Sequence, residues 1–262
     1  MQRANFRASP ALGCGCDVRI LLSVQWHAAS LLILHMQDPS STLIFDKTLG
    51  RIRSDVERFN AEGRSVYLTS SFQTQSVPLL HMVSQLEADA VQVVVIDTGF
   101  LFPETYLFAH GLKEQLGIQL LKVRSERTFS EQMTQRGNFL FASDIDACCH
   151  LNKVEPMRAL LNPGDVWISG IRADQSTVRA EKARLETDAT GVLRYHPMLE
   201  WTAKDVYRYI QTHDLPRHPL ENDGYKSIGC VPCTRKWNAL DLADRGGRWE
   251  GSAKTECGLH TD

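Results

Sequence analysis

The sequence predicts an α/β fold: an open, mostly parallel twisted sheet with helices on both faces. Three observations predict it. Short strand-like runs alternate with longer helical patterns, as in strand–helix–strand units. The apolar run between Gln92 and Asp97, stopped by Gly99, reads as a strand. A third run, SVYLTS, passes through a Ser/Gln-rich turn directly into a helical pattern.

Taken in order, residues 65–70 form a strand, and 76–87 form a helix that tolerates Pro78 in its first turn. Residues 91–99 form the next strand, and FPETYLFAHGLKEQLG follows as a helix with Gly117 as its stop. IQLLKV and VWISGI read as two further strands. In WTAKDVYRYIQTHD, Thr202 and Asp205 make a capping-box variant ahead of another helix. No internal repeat or low-complexity linker interrupts the pattern. From about residue 234 the hydrophobic pattern thins, and RGGRWEGSAKTECGLHTD reads as a flexible tail. The chain therefore divides into an N-terminal extension (1–35), one doubly wound domain (36–233) and a mobile tail (234–262).

Composition narrows the function classes. Hydrophobic residues at 43% and charged residues at 23% of 262 suit a globular domain, and a net charge of −2 argues against a bulk nucleic-acid binder. An anion site must then come from locally placed arginines and lysines. Residues 18–36 are apolar on average, but Arg19, Gln25 and His27 interrupt them, which argues against a spanning helix or a secretory signal. Residues 1–16 are acid-free and faintly resemble a transit peptide, with Met36 as an alternative start. A cytoplasmic location, no membrane partner and no nucleic-acid partner are expected; self-association is left open. Seven cysteines without a secretion signal point to metal or redox chemistry rather than a disulfide framework.

In such sheets ligands bind beyond the carboxyl ends of the strands, which brings together LTSSFQTQS, IDTGFLFPET and ISGIRADQS. The first loop offers backbone N–H groups and the hydroxyls of Ser70, Ser71 and Ser76 to an anion. It resembles the S-G-G-x-D-S pyrophosphate loop of the adenine-nucleotide α-hydrolase superfamily. Phe72 and Gln73 replace the glycine pair, and Gln75 replaces the acid, so a likely magnesium ligand is lost. ATP pyrophosphatase chemistry is therefore disfavoured.

The cysteines are more specific. Cys148 and Cys149 are adjacent, and Cys230 and Cys233 form a Cys-x-x-Cys pair. Four thiolates in two pairs suit a 4Fe–4S cluster; zinc, or unrelated buried cysteines, are the alternatives. Lys153, five and four residues beyond the first pair, can place a cation near both such a centre and a substrate anion. Cys14 and Cys16 belong to no complete site.

CCHLNKVEP, GCVPCT and the terminal ECGLH, with DTGFLFPETY and ISGIRADQS, resemble the assimilatory adenylyl-sulfate reductases. These are the iron–sulfur branch of the phosphoadenylyl-sulfate reductase family. The resemblance covers roughly residues 60–262. It implies an adenine-nucleotide α-hydrolase-like fold, with Cys148, Cys149, Cys230 and Cys233 ligating a 4Fe–4S cluster and Cys257 as nucleophile. The substrate implied is adenosine 5′-phosphosulfate, with thioredoxin or glutaredoxin as reductant. Asn152 stands where the family often carries an arginine, a departure that bears on affinity.

On that resemblance the anionic substrate needs fixed positive charge. Arg172, just past a strand end, and the Arg245/Arg248 pair in DRGGRW are expected to supply it through their bidentate forks. Phe72 belongs to the nucleotide loop, and His260 can assist Cys257 if the tail makes a turn; Glu256 carries the wrong sign to do so. The competing readings are a reductase of the 3′-phosphorylated nucleotide and a non-catalytic, zinc-bearing nucleotide-binding module.

Overall fold

The computed structural model describes residues 39–241, 247–252 and 254–259. The N-terminal extension, Met36, Cys14 and Cys16 lie outside the described residues, as do Arg245 and His260. The described part of Met1–Leu43 is the start of helix α1 (Pro39–Ala61), and a single unit follows over Ile44–Asp262.

Six strands form one sheet: β1 (Val66–Ser70), β2 (Gln92–Ile96), β3 (Leu120–Val123), β4 (Val166–Ser169), β5 (Leu185–Thr187) and β6 (Leu193–Tyr195). Their spatial order is β3-β2-β1-β4-β6-β5. All pairings are parallel except β5 with β6. The order reverses direction between β1 and β4, where Thr69 faces Ser169, so the connections leave these two strands toward opposite faces. A crevice opens at that point.

Strands β1 to β4 agree with the sequence reading. The β5–β6 hairpin and α1 do not appear in it. The hairpin strands are three residues each, too short for a periodicity signal. Its turn is closed by Asp188, whose carboxylate accepts from the backbone N–H groups of Thr190 and Val192. Helix α1 had a signal: Phe45, Ile52, Val56 and Phe59 fall on one helical face and are buried.

Helix α2 (Val77–Val83) stops earlier than its apolar pattern, because the Ser84 hydroxyl turns back to donate to the His81 carbonyl. Helix α3 (Pro103–Leu116) ends where expected, at Gly117 in the left-handed region (φ +64°). In helix α8 (Ala203–Thr212; α4–α7 are given with the site) the capping box forms, with Thr202 and Asp205 exchanging hydrogen bonds. Phe45, Trp201 and Tyr209 meet with ring centroids 5.0–5.5 Å apart, and the Trp201 indole N–H donates to the Thr48 hydroxyl. This aromatic cluster pins α1 and α8 together within the core. Among the described residues no helix is long and apolar enough to cross a membrane.

Candidate functional site

The crevice between β1 and β4 holds a cavity of about 180 Å³. Its floor is the loop after β1. Phe72 sits there with φ +52°, a conformation glycine adopts without cost, and its side chain is fully buried in the core. Burial of the ring offsets the backbone strain, which explains how this loop dispenses with its expected glycine. The Phe72 N–H donates to the Ser70 hydroxyl, while Ser71 and Ser76 hydroxyls lie 3.0 Å apart across the loop. Ser70, Ser71, Phe72 and Ser76 all line the cavity.

Arg172, expected to face the substrate anion, lies in the loop after β4. Its side chain has no exposure and is not part of the cavity wall. It pairs with Asp174 at 2.9 Å and donates to the Gln75 amide oxygen at 3.0 Å. A buried guanidinium needs such partners, and here they tie the β4 loop to the β1 loop. Gln75, substituting for the superfamily's acid, is the acceptor in that tie. Arg179, in helix α7 (Thr177–Ala180), lines the cavity, as does Arg248. Its signal was weak: one more arginine at the end of ISGIRADQSTVR.

The adjacent cysteines lie on a broken helix. Helix α4 (Leu140–Ser143) is followed by α5 (Ile145–Cys149), started by the Asp144 carboxylate accepting from Ala147 N–H. A π-helical segment, His150–Val154, then leads into α6 (Glu155–Leu160). Pro156 accounts for the widening: it lacks an N–H, and its ring would clash with the carbonyl four residues back. The π segment re-aims Lys153 toward the cavity. Asn152, buried, donates to the Gln132 amide oxygen at 2.6 Å and reaches the Cys148 sulfur at 3.7 Å.

Cys230 arrives from another direction. It bridges Leu101 in the loop after β2, and Val231 N–H donates to the Phe100 carbonyl at 2.7 Å. A 3-10 turn, Val231–Cys233, brings the second cysteine round. The Thr98 hydroxyl lies 3.2 Å from the Cys230 sulfur. Cys148, Cys149, Cys230 and Cys233 are all buried and unpaired by disulfides. Burial pushes the Cys148 thiol up to about 11, helped by Cys149 and Cys230. Burial likewise raises Cys149 and Cys233, against the opposing charge of Lys153 on the first and of Arg248 on the second. The walls are Phe100, Leu101, Ile145 and Trp249. Four buried sulfurs with apolar walls and hydrogen-bond donors fit an iron–sulfur cluster, whose irons would stabilise the thiolate form that burial disfavours. Among the described residues no three His, Cys, Asp or Glu side chains are grouped as a metal-ion site.

The segment after residue 234 returns to the domain. Thr234 bridges Arg248, and Trp249 N–H donates to the Cys233 carbonyl. The Arg248 guanidinium lies across Gly229, where any Cβ would collide with it; glycine there lets the arginine reach the cavity. Residues 254–259 then run past the π segment, with Gly258 against Val154 and Cys149. Cys257 is half-buried, lines the cavity, and its sulfur lies 3.9 Å from the Lys153 ammonium. Burial works against the charge on Lys153, but the sulfurs of Cys257, Cys230 and Cys149 outweigh it and hold the group above its ordinary value. Glu256 pairs with Arg179 at 2.7 Å and accepts from the Cys257 backbone N–H.

The structure thus brings Cys257, Lys153, Arg248, Cys230 and the serine loop to one cavity. It can hold an anion between hydroxyls and cations and present a sulfur nucleophile to it.

Residues 65–236 match the phosphoadenosine phosphosulfate reductase domain family. The chain is 39% identical over 193 residues to an adenosine 5′-phosphosulfate reductase of Salinibacter ruber, covering 73% of this chain and 76% of that protein. It is 37% identical over 201 residues to adenosine 5′-phosphosulfate reductase 1 of Bacillus subtilis, covering 76% and 85%. Among solved structures, a phosphoadenylyl-sulfate reductase from Candida auris in a phosphate complex superposes with a TM-score of 0.56 at 23% identity, covering 71% of this chain and 94% of that one. Yeast FAD synthetase in complex with FAD superposes with a TM-score of 0.53 at 15% identity, covering 79% and 73%. These two share the fold.

Proposed function

The chain belongs to the phosphoadenosine phosphosulfate reductase family, and within it we propose that it reduces adenosine 5′-phosphosulfate to sulfite and AMP. The observation that carries this reading is the Cys257 sulfur held beside the Lys153 ammonium in the crevice between β1 and β4. The relatives named for the same reaction support the substrate.

In this reading the nucleotide lies along the serine loop, with its phosphosulfate facing Arg248 and Lys153. These cations take up negative charge as it moves onto the departing phosphate oxygen. The Cys257 thiolate attacks the sulfate sulfur, a new S–S bond forms, the S–O bond to phosphate breaks, and AMP leaves. Cys257 then carries an S-sulfonate. The tail undocks and presents it to a dithiol protein such as thioredoxin or glutaredoxin. One thiolate of that protein attacks the Cys257 sulfur and sulfite departs. The second thiol resolves the mixed disulfide, so the dithiol supplies both electrons and Cys257 is regenerated.

Cys148, Cys149, Cys230 and Cys233 would hold a 4Fe–4S cluster. Its role would be structural and electrostatic, fixing the segment that carries Lys153. The reading places the enzyme in the cytoplasm, where thiols stay reduced.

An anaerobic assay tests it. With reduced thioredoxin, sulfite and AMP should form from adenosine 5′-phosphosulfate much faster than from its 3′-phosphorylated counterpart. The reverse preference would assign the second substrate. A colourless preparation without acid-labile sulfide would remove the cluster.

A further inference from the structure

Several polar contacts hold the described residues 254–259 around Cys257, three of them made by lysine or arginine side chains to oxygen. Lys254 pairs with Asp146, and Arg194 donates to the Leu259 carbonyl at 2.7 Å. The third contact differs in kind. Arg179 meets Glu256 through two parallel bonds, Nη2 to Oε1 at 2.7 Å and Nε to Oε2 at 2.9 Å. Both side chains are buried, with 9% and 4% exposure, as is Lys254 at 8%, whereas the Asp146 carboxylate is 81% exposed. Exposed pairs contribute little, but a buried, bidentate pair is lost only at considerable cost to both charges.

Glu256 also acts on the next residue directly. Its Oε1 accepts from the Cys257 backbone N–H at 2.9 Å, so one carboxylate oxygen joins Arg179 to the main chain that carries the sulfur. The Ser176 hydroxyl donates to the other oxygen. The arginine is itself braced by the Gln175 amide oxygen. The cavity wall is thereby coupled to the orientation of Cys257, since Arg179 and Gln175 both line it.

We propose that Glu256 is a positioning residue: clasped by Arg179, it docks the tail and sets Cys257 opposite Lys153 for attack. The inference rests on the reading of Cys257 as nucleophile. It assigns Glu256 a favourable role that its charge beside the cysteine disguises. The carboxylate is neutralised by Arg179 and serves as a hinge pin. Release of the clasp is then the step that frees the sulfonated cysteine for its dithiol partner. An ion pair suits that purpose, because water can solvate both charges once the tail lifts.

The test uses the intact cluster-loaded protein and three variants: Glu256→Gln, Arg179→Lys and Asp146→Asn. Two quantities are read on the Cys257 peptide by mass spectrometry. One is its alkylation rate by iodoacetamide without nucleotide, and the other its S-sulfonation rate in a single turnover with adenosine 5′-phosphosulfate. AMP affinity is measured alongside. Glu256→Gln should raise alkylation and lower single-turnover sulfonation each by about tenfold or more, with AMP affinity changed less than about threefold. Arg179→Lys keeps the charge but loses the fork, and should move both rates in the same directions by a smaller factor. Asp146→Asn, at the exposed pair, should leave both within about twofold. Unchanged alkylation in Glu256→Gln, or faster alkylation with undiminished sulfonation, would overturn the positioning role. If the wild-type peptide never gains a sulfonate, the nucleophile reading itself fails. That result is distinct, because the alkylation comparison still reports docking. Should Glu256→Gln not fold, the lysine variant at Arg179 carries the same two readouts.

Discussion

The two halves of the site are held by different forces. The serine loop is anchored by hydrophobic burial: Phe72 is sunk in the core and β1 is hydrogen-bonded on both sides, by β2 and β4. The tail segment carrying Cys257 is held by side-chain pairs, one buried and one exposed, and by one arginine-to-carbonyl bond. A wall that must keep a nucleotide in register gains from the first. A cysteine that must meet a nucleotide and then another protein gains from the second, since ion pairs can be exchanged for water without unfolding the core.

The comparison can be broken from either side. Cys257→Ser should lower sulfite formation by on the order of a thousandfold or more, with AMP binding and thermal stability unchanged. Assays of sulfite and AMP affinity on one preparation check both. Phe72→Ala should do the opposite, costing about 3–5 kcal/mol of stability through the cavity it leaves. Denaturant melts would read that loss, and AMP affinity would fall with it.

Lys153→Gln should reduce single-turnover sulfonation by about a hundredfold with a smaller effect on AMP affinity, because the ammonium faces the Cys257 sulfur. An equal loss in both would move Lys153 from the sulfur side to the nucleotide side.

A pH effect belongs to the sheet. Burial and the neighbouring Arg194 lower His196 from 6.5 to about 4, and its Nδ1 lies 2.9 Å from the Ser169 hydroxyl at the end of β4. The folded protein keeps this ring neutral while the unfolded chain takes up a proton below 6.5. Stability should therefore fall as pH drops from about 6.5 to about 4, by about 3 kcal/mol. His196→Gln should flatten that slope in melts followed across the window. The smallest effect expected is that of Asp146→Asn on the exposed tail contact.

Much of the crevice was legible in the sequence because its strands are apolar runs and its loop is dense in hydroxyls. The four cysteines and Lys153 were legible as a pattern. The structure shows the physical link that spacing does not carry: a π segment before Pro156 that turns Lys153 toward Cys257. Arg172 and Arg179 show what spacing along the chain leaves open. Both follow the same strand, yet one is locked by Asp174 and Gln75 while the other lines the cavity. Only the packing of the two loops distinguishes them. The partner of Glu256 escapes sequence reading for a related reason, since it lies 77 positions away.

The most direct test of the account is the state of the tail after one half-reaction. Cluster-loaded protein is mixed with adenosine 5′-phosphosulfate without any reductant, and the peptide containing Cys257 is weighed. The account predicts that this peptide gains the mass of one SO3 group, in step with AMP release, and loses it as sulfite when reduced thioredoxin is added. AMP release with an unmodified Cys257, or a sulfonate found on any of the other four described cysteines instead, would contradict it.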